Sequence, residues 1–209
     1  MGVLEGLEAM YLQRFLEASN SLLYDYQMTS KLDLNDYYKW ASGNLADNRN
    51  RGIFAEWLVG KALNTLQEED TRVEWDGVDL RYKNLGIEIK ASGRSQTWDP
   101  QTVTVPRFGI SKNSRAWDSE KETVDVFDPP RRNADIYIFC LHQSIPATKE
   151  NVADPESWSF WVVATHMINE KLGDQKSLGV STLNELTGAV TWSGIAAEIK
   201  RVTETDTYQ

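Results

Sequence analysis

The sequence predicts a mixed α/β protein, and three observations carry that prediction. Apolar residues at helical spacing dominate the first third of the chain, two β-branched and aromatic runs mark its second half, and short helices alternate with turns at the end. A hydrophobic content of 41% with 11% aromatic residues is that of a folded globule. The 209 residues suit one domain with a substantial core, and no break in composition demands two.

Residues 3–27 place Leu4, Leu7, Tyr11, Phe15 and Leu22 at helical spacing and predict one or two helices. An aromatic-rich helix is expected over 35–41 and a polar connector over 42–50. Residues 51–66 predict a helix whose buried stripe is Ile53, Phe54, Trp57, Leu58, Ala62 and Leu63. Strands are expected near 73–75, 78–82, 87–91 and 102–105. A tight turn at Lys83-Asn84-Leu85-Gly86 joins the second and third of these, with Gly free to take positive φ and Asn tolerating it. Residues 109–132 read as a polar loop in which Asp128-Pro129-Pro130 stops any regular element. The apolar runs 134–141 and 158–164 predict central strands. Helices are expected at 166–171, 182–186 and 194–200, the last with Ser193 as N-cap.

Composition excludes several classes. No apolar run approaches ~18 residues, so no transmembrane helix is expected, and residues 1–12 carry Glu5 and Glu8 in place of the positive start of a signal peptide. The single Cys140 lies in an apolar run and reads as a small buried hydrophobe; one cysteine makes no internal disulfide, which fits a reducing cytoplasm. The formal charge is −9, yet between Arg81 and Arg132 ten basic residues face seven acids, a local +3 that leaves −12 elsewhere. Phosphates feel the local field, so this segment is where nucleic acid would be met.

The chemistry concentrates in Trp75-Asp76-Gly77-Val78-Asp79-Leu80 and Gly86-Ile87-Glu88-Ile89-Lys90-Ala91-Ser92. Alternation on the second strand points Glu88 and Lys90 one way, Ile87 and Ile89 the other. An isolated Glu-x-Lys is usually a solvated ion pair; Asp79 on the adjacent strand is what sets this one apart. Two acids from adjacent strands, with a main-chain carbonyl between them, offer hard oxygen ligands suited to Mg²⁺, with room for water and phosphate oxygens. A lysine two residues after a ligand acid can touch the attacking water and stabilise developing charge. Asp76 rivals Asp79 for the ligand role, but alternation turns it away and Gly77 makes it a turn residue. On the helix at 51–66, Gly52 and Gly60 flank Glu56 on one face; each costs about 1 kcal/mol against alanine, so a close approach of sheet or substrate around Glu56 is expected.

Glu56 on a helix, Asp79 on a strand, Glu88-Ile89-Lys90 on the next strand and Gln96 in Ser95-Gln96-Thr97-Trp98 resemble the PD-(D/E)XK nuclease superfamily, which includes many type II restriction endonucleases. The specific motifs span 51–98, and a looser resemblance to uncharacterised bacterial proteins of that fold continues to about residue 186. Residues 1–47 lie outside it and read as an N-terminal helical extension to a core of 48–209. The resemblance implies a restriction endonuclease-like mixed sheet of four to five strands flanked by helices. It also implies Mg²⁺-dependent hydrolysis of DNA phosphodiesters, with Mn²⁺ as substitute, Asp79 and Glu88 as metal ligands and Lys90 positioning water. Glu56 would join through a metal-bound water or a second metal, and Gln96 would steady Lys90 or the phosphate. Val78 stands where the family motif often has proline.

Arg94, Lys112 and Arg115 are the expected nucleic-acid contacts, with Trp98 and Trp117 in the same loops read as anchors. His142 and His166 are too isolated for a catalytic dyad and read as surface or hydrogen-bonded histidines. Two function classes follow: a DNA endonuclease serving restriction or phage defence, and a non-catalytic member of the fold that binds nucleic acid or protein. The intact acids favour the first, and the acidic balance favours the second or an enzyme recruited by a protein partner or a second copy in a homodimer. No membrane association is expected. A two-carboxylate glycosidase is a poor fit, because a lysine would occupy one catalytic position.

Overall fold

The structure is a computed structural model that describes residues 13–14, 16–17 and 32–205. The chain divides into two compact units, 1–43 and 44–209. Residues 13, 14, 16 and 17 are helical; the remainder of the helix expected over 3–27 lies outside the described residues. Helix α1 (Leu34–Ser42) starts at Asp33, whose side chain accepts the Asn35 N–H and so satisfies one of the orphan donors of the first turn.

The second unit is α/β. Its main sheet has the order β1 (Leu80–Tyr82), β2 (Leu85–Gly93), β6 (Ile136–His142), β7 (Trp158–Ala164). β2 and β6 are parallel while both outer pairs are antiparallel, so the sheet is mixed. Alternation divides it into two faces. Ile87, Ile89, Ile136, Ile138, Phe160 and Val162 pack against α2 (Asn48–Leu63) and α6 (Ile195–Thr205) through Ala55, Leu58, Val59, Ile195 and Ile199. Tyr137, Phe139, Leu141, Trp161 and Val163 face the other way, onto a layer built from β3 (Arg107–Gly109), α4 (Thr165–Leu172), β8 (Ser177–Gly179) and α5 (Val180–Leu186). β6 is buried along its whole length, which is why its sequence is a continuous apolar run without alternation. A short helix α3 (Lys149–Ala153), opened by a Thr148–Asn151 capping box, precedes β7.

Several expectations are corrected. Helix α2 begins and ends three residues early: Asp47 caps it, and Asn64, left-handed at φ 54°, stops it. No strand forms at 73–75 or 102–105. Val73 and Trp75 stand exposed with no strand to pair with, and Thr104 is tied instead to the main chain of Gly93 and Arg94. The expected loop at 109–132 contains a hairpin, β4 (Asn113–Asp118) with β5 (Thr123–Arg131), its register broken between Asn113 and Arg115. Its two strands are mostly exposed, so no apolar alternation betrays it, and prolines 129 and 130 are tolerated at its edge. The hairpin turn before β2 puts positive φ on Lys83, not Gly86; Gly86 is pressed by Val78, 2.9 Å from where a Cβ would sit. Ser193 lies inside a 3₁₀ turn (Trp192–Gly194) that runs straight into α6 and is not an extended cap.

Candidate functional site

The site grows out of a mismatch in strand length. β2 runs nine residues and β1 three, so beyond Ile87 the outer edge of β2 has no β1 partner. An edge N–H left in the interior must find an acceptor. Asp79, immediately before β1, provides it: its own N–H donates to the Ile87 carbonyl at 3.0 Å, and its Oδ2 accepts the Ile89 N–H at 2.6 Å. The carboxylate is thereby pinned in line with the sheet edge.

Glu88 and Lys90 leave β2 on the face opposite Ile87 and Ile89, in register with Tyr137 and Phe139 of β6. Lys90 Nζ donates to Glu88 Oε1. Glu56 reaches the same edge from the third turn of α2, where Ala55, Leu58 and Val59 hold the helix on Ile87 and Ile89. Its carboxylate is gripped by Arg72, Nε to Oε2 at 2.5 Å and a terminal nitrogen to Oε1 at 2.9 Å. The close approach expected at the glycines flanking Glu56 is not that of sheet or substrate. Nothing approaches Gly52 within 4 Å, and the contact at Gly60 comes from the Leu66 side chain of the following loop.

Electrostatics bind these groups into one cluster. Burial raises the carboxyl pKa of Glu56, Asp79 and Glu88 above its ordinary value. The Asp79 charge raises Glu88 further while Lys90 opposes it, the Ile89 N–H opposes the rise at Asp79, and Arg72 opposes it at Glu56. Burial, and then Glu88, also push the Tyr137 hydroxyl up, so it stays protonated. Asp79 Oδ1 and Glu88 Oε2 make no hydrogen bond among the described residues, so each carboxylate keeps one oxygen for a further partner. Two desolvated carboxylates with an oxygen each in hand fit a hard divalent cation. Among the described residues no three His, Cys, Asp or Glu side chains gather as a metal-ligating group, so this donor set rests on two acids, with Glu56 engaged by Arg72.

Beside the cluster opens a cleft of about 550 Å³ lined by Glu56, Trp57, Lys61, Arg72, Asp79 and Arg81, among others. Trp57, expected in the core, is 48% exposed on its wall. Asp76 is a structural acid: Oδ1 accepts from Gly77 N–H and Arg81, Oδ2 from the Ser119 hydroxyl, which ties the β4–β5 hairpin to β1. With both oxygens committed, it is a weaker ligand candidate than Asp79.

The other expected residues lie apart. Gln96 follows β2 by three residues; its Oε1 is buried, and no hydrogen bond joins it to Lys90 among the described residues. Arg94 donates to Gln143 Oε1 at 2.6 Å and lines a separate groove with Arg107 and Thr104. Lys112 pairs with Asp174 at 2.7 Å, and Arg115 is exposed on β4. From the basic segment only Arg81, Ser119 and Glu120 line the cleft. His142 is fully buried, its ring 5.2 Å from that of Trp158, and burial lowers its pKa. His166 is exposed on α4. Cys140 is buried as expected, and Trp158 and Trp161 are core residues.

Arg72 is the member of this cluster that sequence reasoning missed. It ends the acidic stretch Glu68-Glu69-Asp70-Thr71 in an irregular loop, where no periodicity aims a side chain. Compared with protein-family models, curated proteins and solved structures, the chain matches none of them.

Proposed function

We propose that the protein is a Mg²⁺-dependent nuclease of the PD-(D/E)XK kind that hydrolyses DNA phosphodiester bonds, in a restriction or phage-defence role. The observation that carries this reading is the arrangement along β2: Asp79 holds the Ile89 N–H at the open edge, Lys90 donates to Glu88, and the Asp79 charge acts on Glu88. Mg²⁺, when bound, would lower the pKa of a coordinated water and neutralise charge on phosphorus. Asp79 and Glu88 each offer an oxygen to it, and their burial makes the unbalanced charge costly without it. Lys90, oriented by Glu88, puts its ammonium where it can hold the nucleophilic water and stabilise negative charge as it develops. A lone buried thiol, Cys140, suits a cytoplasmic setting.

A second reading, a DNA- or protein-binding member of the fold without catalysis, draws support from the net charge of −9. Turnover separates the two. Glu88→Ala abolishes Mg²⁺-dependent DNA cleavage, whereas Lys90→Ala keeps cation binding and loses a factor of about 10² or more in rate. Ca²⁺ supports binding without turnover, its looser coordination misplacing the water. A wild-type chain that cuts no DNA with Mg²⁺ or Mn²⁺ leaves the binding reading in its place.

A further inference from the structure

The nuclease reading, on which this inference rests, needs a role for Glu56. Both Glu56 oxygens are taken by one guanidinium, in the fork geometry at which arginine is best. The Glu56 side chain is 15% exposed and that of Arg72 34%, so the acid is the inner, fixed half of the pair and the guanidinium its outer half. Both line the cleft that Asp79 also lines. Of the five guanidinium N–H groups, two are spent on Glu56, and no other hydrogen bond of Arg72 is made among the described residues.

Charge supports the same assignment. Glu56, Asp79 and Glu88 carry three negative charges against the two positive charges of Lys90 and Arg72, a formal −1. One divalent cation turns this into +1, which matches the single charge of a phosphodiester; a second would leave +3.

We propose that Arg72 takes the place of a second metal ion: Glu56 is a positioning residue that anchors the guanidinium, and the remaining N–H groups of Arg72 bind the substrate phosphate beside a single divalent cation on Asp79 and Glu88. Arginine suits this post because its charge is permanent and its fork can span a carboxylate on one edge and a phosphate oxygen on another.

The test uses the full chain, Mn²⁺ counted by electron paramagnetic resonance, and thymidine 3′,5′-bisphosphate as phosphate probe, titrated by calorimetry onto the Mn²⁺-loaded protein. Wild type, Arg72→Ala and the Glu56→Gln/Arg72→Ala double variant should each bind one Mn²⁺ per chain. The bisphosphate should bind about tenfold or more weaker to Arg72→Ala and to Glu56→Gln than to wild type. Arg72→Lys, a point charge without the fork, should fall between. Two Mn²⁺ in wild type would overturn the proposal. So would a second Mn²⁺ that appears in Arg72→Ala and is lost in the double variant, since Glu56 would then be a ligand. Equal bisphosphate affinity in wild type and Arg72→Ala would overturn it as well. No Mn²⁺ in any variant would remove the metal-dependent reading, and this assignment with it.

Discussion

The main-chain N–H of Ile89 donates to Asp79 Oδ2 at 2.6 Å, so the acid that reads as a ligand is also the residue that completes the edge of β2. One oxygen of the carboxylate thus serves the fold, and the other is left for the proposed cation. Asp79→Asn keeps an acceptor for Ile89 and removes the charge, while Asp79→Ala removes both. A buried N–H left without an acceptor costs about 1–3 kcal/mol. Thermal melting should therefore show Asp79→Ala clearly less stable than Asp79→Asn. Equal melting temperatures would mean that the Ile89 contact adds nothing.

Stability should rise when the site loses its charge. The pKa of Glu88 is raised in the folded state by burial and then by Asp79. Below the unfolded value the carboxyl is neutral in both states and costs nothing; as pH rises through the folded value, ionisation in the buried site costs stability. Glu88→Gln should accordingly melt higher than wild type at pH 7, by about 2–4 °C if the relief is ~1 kcal/mol. The gain should vanish near pH 4, about the ordinary glutamate value. A gain that persists there would point to packing instead of charge.

His142 sets an opposite trend. It is 0% exposed against Trp158, and burial lowers its pKa, with the Arg51 charge adding to the effect. A depressed histidine contributes stability above its unfolded value of about 6.5 and loses it as pH falls toward the folded value. Wild-type stability to denaturant should drop between pH 7 and pH 5, and His142→Leu should flatten that drop. An identical slope in the variant would clear His142 of the effect.

Salt dependence tests the expected nucleic-acid contacts. Arg94 and Lys112 are held by Gln143 and Asp174, and both partners can be exchanged for phosphates. Each neutralised phosphate contributes about 0.9 to the slope of log K against log salt. Replacing Arg94, Lys112 and Arg115 by alanine should flatten the slope by that amount per contact and weaken all sequences alike. Unchanged salt dependence would move the contacts to other residues.

What could be read in advance depended on burial. Ile87 and Ile89 alternate with Glu88 and Lys90 because one face of β2 meets α2, and β6 and β7 are almost wholly apolar because both faces are covered. Where burial is thin the signal fails. Val73 and Trp75 are β-formers with no partner strand, and the exposed β4–β5 hairpin has no apolar face to announce it. The shared face of Glu88 and Lys90 was legible because a strand period aims them, while Asp79 lies just ahead of β1. Arg72 was not legible, because its contact with Glu56 spans sixteen residues through an irregular loop whose path is set by tertiary packing such as Leu66 on Gly60.

The most direct measurement is an anomalous difference map from crystals of the full chain soaked in Mn²⁺. A peak within ~2.3 Å of one oxygen each of Asp79 and Glu88, at the coordination distances of hard divalent cations, is the expected result. The same soak of Glu88→Ala should lose it. No peak in wild type, or one placed away from these two carboxylates, would contradict the account.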